Sequence, residues 1–122
     1  MEKGRKILLP VVECSMDSEI ASRFGRAEKF LVYDTESGAT ECIVNETNSA
    51  SHGAGIQAAQ SVVESGASVL IAPHCGPKAY QVLEAAEIEV FFSKPVSVSE
   101  NIKLYTNGEL QKITSADAKG NK

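Results

Sequence analysis

The chain has 122 residues, 43% of them hydrophobic and 23% charged, enough for one hydrophobic core and too apolar for a disordered protein. Its net charge of -4 argues against a general binder of the nucleic-acid backbone, which would display a basic face. No apolar run approaches the roughly 20 residues that span a bilayer, and nothing near Met1 reads as a signal peptide, so the three cysteines point to the reducing cytoplasm, with free thiols and no disulfide framework.

Ile7 to Val12 is a near-continuous apolar run, the pattern of a strand covered on both faces, and it leaves Cys14 just past the strand's carboxyl end. Asp17 or Ser18 then caps a predicted short helix ending near Arg23. Phe24-Gly25-Arg26-Ala27 is turn-like and leads to a second strand, Phe30 to Asp34. Glu36-Ser37-Gly38 is a hairpin loop, and Thr40 to Asn45 returns as a third strand. So short a loop makes the second and third strands antiparallel, and if the second runs down beside the first, the third runs up again and finishes at the same edge as the first.

A polar loop from Asn45 to Gly55 precedes a helix whose apolar positions Ile56, Ala59, Val62 and Val63 share one face, with Gly66 just past its end. Ala67 to Ile71 is the fourth strand, joined through that helix and therefore parallel to the third. Pro73 stops the run. His74, Cys75 and Gly76 form a tight loop, and Pro77 opens a helix to Ala86. Ile88 to Phe92 is the fifth strand. Ser97-Val98-Ser99-Glu100 has capping-box spacing and starts a final helix, which Asn107-Gly108 ends. The predicted organisation is a single domain over residues 1–110 and a polar tail over 111–122.

If strands one, three, four and five point the same way, Cys14, the loop around His52 and the His74-Cys75-Gly76 loop emerge at one sheet edge. Ligands of open α/β sheets bind at that edge. His74 and Cys75 are then either soft metal ligands or a base and a nucleophile, against the plainer reading of Cys75 as a small core residue. Gly53 and Gly55 serve either as flexible entry to a helix or as a close backbone approach to an anion, and His52 beside them is equally open. Arg23 and Arg26 flank Phe24-Gly25 within reach of the same anion. There is no C-x-x-C, no H-E-x-x-H and no nucleophile elbow.

In order and spacing, Phe24-Gly25-Arg26-Ala27 with Phe30 and Tyr33-Asp34, then Asn45, His52-Gly53-x-Gly55, Gly76-Pro77-x-Ala79 and Leu83 resemble the dinitrogenase iron-molybdenum cofactor biosynthesis family. The similarity runs from about Lys6 to Leu110. It implies a ribonuclease-H-like, three-layer α/β/α fold with a five-stranded mixed sheet whose second strand is antiparallel. It further implies a non-enzymatic role, binding or carrying a metal-sulfur cluster (iron-molybdenum cofactor-like or another Fe-S or Mo cluster) among cofactor-assembly proteins. Such a cargo calls for thiolate or imidazole ligands, N–H donors toward its sulfides and an open mouth. Cys14, His52, His74 and Cys75 are the candidate metal ligands, and Arg23, Gly53, Gly55 and Gly76 complete the candidate cluster-binding set. Arg23 departs from the family pattern, since nitrogenase-associated members often have histidine before the Phe-Gly pair. Two other readings stand beside this one: a small enzyme with Cys75 as nucleophile and His74 or His52 as base, and a regulatory module binding an anionic metabolite.

Overall fold

The computed structural model describes residues 5–45 and 54–114. Within them the elements follow as β1 (Lys6–Val11), β2 (Lys29–Asp34), β3 (Thr40–Val44), α1 (Ala54–Ser65), β4 (Val69–Ala72), α2 (Pro77–Ala85), β5 (Glu89–Phe92) and α3 (Val98–Thr106). The strands form one mixed sheet in the order β3-β2-β1-β4-β5. β2 runs antiparallel to β1 and β3, while β4 is parallel to β1 and β5 parallel to β4. The connections dictate this: a hairpin reverses the chain, whereas a helical crossover returns it to the same end.

The local signals act as their chemistry predicts. Asp34 closes the β2–β3 turn by accepting the N–H groups of Glu36 and Ser37 on Oδ1 at 2.8 and 3.3 Å, and Gly38 takes the positive φ of 77° that the turn requires. Ser97 caps α3, its hydroxyl accepting from Glu100 N–H at 3.2 Å. Gly66 follows α1 at φ 83°, a left-handed exit open to glycine at no steric cost.

Alternating strand residues sort into two cores. Leu8, Phe30, Val32, Leu70, Ala72 and Val90 pack under α1 and α2, which supply Ala58, Ala59, Val62, Ala79 and Leu83. Ile7, Leu9, Val11, Leu31, Val69 and Ile71 face α3 through Val98 and Ile102. The result is three layers, with α1 and α2 on one face of the sheet and α3 on the other. Burying each large apolar side chain contributes about 1.5–3 kcal/mol.

Two expectations need correction. The stretch from Asp17 to Arg23 is not helical. It folds back along the end of β1, with Ala21 N–H on Pro10 O at 2.9 Å and Val12 N–H on Glu19 O at 3.2 Å, while Ser18 O and Met16 O accept from Val98 and Ser99 at the start of α3. A helix this short is marginal by itself, so bonds to neighbouring elements win. The polar tail also begins later than residue 111. Ile113 is buried in the α1–α2 core and donates its N–H to Val90 O at 2.7 Å, so residues 111–113 cover the β5 edge of the sheet.

Candidate functional site

The parallel strands deliver their following loops to one edge of the sheet, as expected. At that edge, on the α1–α2 face, lies a cleft of about 900 Å³ walled by the turn Arg23–Arg26, by Gly55 and Ile56 at the start of α1, and by the segment from His74 to Ala79. Gly55 faces Ala79 across the two helices, where a Cβ would stand 3.8 Å from that of Ala79, an ordinary contact.

The lining has a one-sided charge. Arg23, Arg26 and Lys78 contribute cations and His74 an imidazole, with no carboxylate among the lining residues, although the whole chain carries net charge -4. Neither Arg23 nor Lys78 has an ion pair with a described residue. Lys78 stands in the first turn of α2, which has no acidic residue there and no side chain capping its N-terminus. Positive charge at the positive end of a helix is unfavourable by a few tenths of a kcal/mol or more unless an anion offsets it. A low-dielectric wall around like charges concentrates the field in the cleft mouth.

The expected ligands fare unequally. Arg23, Gly55, His74 and Gly76 all line the cleft. His52 and Gly53 lie outside the described residues. Cys14 is corrected: it is disulfide-bonded to Cys42, with Cα atoms 5.7 Å apart, and offers no thiolate while that bond stands. The pairing of Leu31 with Cys42 across β2 and β3 puts Cys42 on the α3 face, where Cys14 packs, opposite the cleft. Spacing along the chain carries no trace of that proximity, which arises from strand register, so the expectation of three free thiols failed.

Cys75 takes the core position, the plainer of its two readings. It is free but only 5% exposed, sunk into the core beneath the cleft, and burial pushes its thiol up to about 12 from 9.0. A desolvated neutral thiol is the opposite of an activated nucleophile. Sulfur and imidazole groups do not share a rim among the described residues: Cys14 packs on the far face, Cys75 lies in the core and His74 lines the cleft. Among the described residues no group of three His, Cys, Asp or Glu side chains is placed to hold a metal ion. The cleft's donor set suits a preassembled anion held by charge and N–H groups, not a bare cation.

Sequence reasoning missed Lys78. Its signal was present: a lysine directly after Gly76-Pro77, at a helix start where acids are favoured. Asn45 was noted only as part of a pattern, and its work in the site emerges from the structure.

Fold and site together define an α/β/α domain with a cationic cleft at the carboxyl edge of its sheet. The family model described as dinitrogenase iron-molybdenum cofactor matches residues 5–108, and the chain belongs to that family. An uncharacterised protein of Methanocaldococcus jannaschii is 34% identical over 114 residues, 91% of this chain and 93% of that one. The apo form of the orange protein from Desulfovibrio gigas superposes with a TM-score of 0.87 at 34% identity, covering 93% of this chain and 97% of that one. A candidate NifB protein of the DUF35 family from Thermotoga gives a TM-score of 0.77 at 36% identity, over 88% and 92% of the two chains. No described helix is long and apolar enough to cross a membrane.

Proposed function

We propose that the protein binds a preassembled anionic metal-sulfur cluster in this cleft and carries it between cytoplasmic cofactor-assembly proteins, without performing chemistry of its own. The observation that supports this reading is the acid-free lining with Arg23, Arg26, Lys78 and His74 around one open mouth. Family membership adds a cofactor context. The cluster is cargo, held from its outer shell: guanidinium and ammonium N–H donors address its sulfides, a mode that leaves it intact for hand-over. Cys75 as catalytic nucleophile has less support, because its burial opposes ionisation.

Anaerobic titration with tetrathiomolybdate, followed by desalting and visible spectroscopy, tests the proposal. The wild type is expected to retain colour stoichiometrically. Arg23→Gln and Lys78→Gln are each expected to weaken retention roughly tenfold or more, the scale of one charge-assisted hydrogen bond. Failure of the wild type to retain the anion, or retention indifferent to both substitutions, would overturn the reading.

A further inference from the structure

The cleft's arginines sit on a turn with little regular structure of its own, and the fold holds that turn by an unexpected residue. Phe24 and Ala27 are buried and anchor it from below, Phe24 stacking on Phe30 with ring centroids 5.9 Å apart. Between those anchors the backbone of Gly25 and Arg26 rises to the surface. Asn45, directly after β3 and 4% exposed, reaches across from some twenty residues away in sequence, its Nδ2 donating to Ala27 O at 2.7 Å and Gly25 O at 3.3 Å. Its backbone N–H donates to Glu28 O at 2.9 Å.

We propose that Asn45 is the positioning residue of this cleft: its buried amide clamps the Arg23–Arg26 turn so that the turn and the Arg23 guanidinium are presented to the anion before it arrives. The inference rests on the cleft being an anion site and adds what preorganises it. Two carbonyl oxygens converging on one buried point require a group with two N–H donors, which a primary amide supplies. A carboxylate of the same shape would face both carbonyls without a donor, and a hydroxyl has one proton to give. Left without the clamp, the turn would have to be ordered at the moment of binding, and that cost comes out of affinity.

Three variants separate this role from plain stability. Asn45→Asp keeps the shape and loses the donors, Asn45→Ser keeps one donor, and Asn45→Ala removes the group. Ile102→Ala, on α3 across the sheet, serves as a destabilised control. Tetrathiomolybdate affinity is measured with backbone amide relaxation by NMR over residues 23–27. Expected are a fall in affinity of about tenfold or more for Asn45→Asp and Asn45→Ala, a smaller fall for Asn45→Ser, and loosening confined to residues 23–27. Ile102→Ala should keep both wild-type affinity and wild-type order at the turn. Wild-type order at residues 23–27 in Asn45→Ala and Asn45→Ser, or undiminished affinity in either, overturns the proposal, and those two variants decide it if Asn45→Asp does not fold. A wild-type protein that fails to retain the probe refutes the cluster reading alone, because the order measurement still decides the role of Asn45.

Discussion

Cys75 shows how position within a loop can mislead when depth is unknown. It follows a strand and precedes a helix, the setting of many reactive thiols, yet its side chain turns inward under Ala79 and into the core. Its ionisation in the folded protein is displaced upward, to about 12 from 9.0. The folded state therefore resists a deprotonation that the unfolded chain accepts. The stability tied to the neutral thiol is fully present below pH 9 and is lost as pH rises from 9 toward 12. In denaturant titrations the stability difference between wild type and Cys75→Ala should be constant below pH 9 and change across that alkaline interval. Iodoacetamide at pH 8 should label Cys75 only in denaturant. Rapid labelling of the native protein would contradict the burial. His74, its neighbour in the same loop, lines the cleft.

Among the elements, those specified by contacts between near neighbours were readable in advance. The Ser97 cap, the Asp34–Gly38 turn and the glycine after α1 are all satisfied within a few residues. Ser97→Ala should cost about 1 kcal/mol, measured by urea unfolding, because the Glu100 N–H at the start of α3 then loses its acceptor. The segment from Asp17 to Arg23 was misread because its competitors are distant: Pro10 O in β1 and the first N–H groups of α3 take the bonds that a helix would have made internally. The same limit hid Asn45, whose partners Gly25 and Ala27 become neighbours only when β3 pairs with β2.

For the whole molecule, charge and covalent closure are the two quantities that the fold redistributes. An acidic chain concentrates three cations and a histidine around one mouth, so anion affinity should fall steeply with added salt while net charge predicts repulsion. Tetrathiomolybdate titrations between low and physiological ionic strength should show this slope, flattened in the Arg23→Gln/Lys78→Gln double variant. The Cys14–Cys42 bond closes a loop with a sequence separation of 28 and joins the segment after β1 to edge strand β3. Its reduction should lower unfolding free energy by about 3–4 kcal/mol in the chain-entropy account. Thermal denaturation with and without dithiothreitol would register the loss, and unchanged curves would mean that the loop is already constrained by other contacts.

The order of amino acids by itself determined the strand directions, the helix ends and the family, because hydrophobic period, turn chemistry and connection length act over short stretches. It also named the loops that would share an edge. Which side chains in those loops line the cleft was decided by tertiary structure. Strand register paired Cys14 with Cys42 on the far face, packing drew Cys75 into the core, and Arg23, Arg26 and Lys78 gathered around the cleft. Depth and distance between remote residues depend on the closed fold, and a linear chain carries them only implicitly.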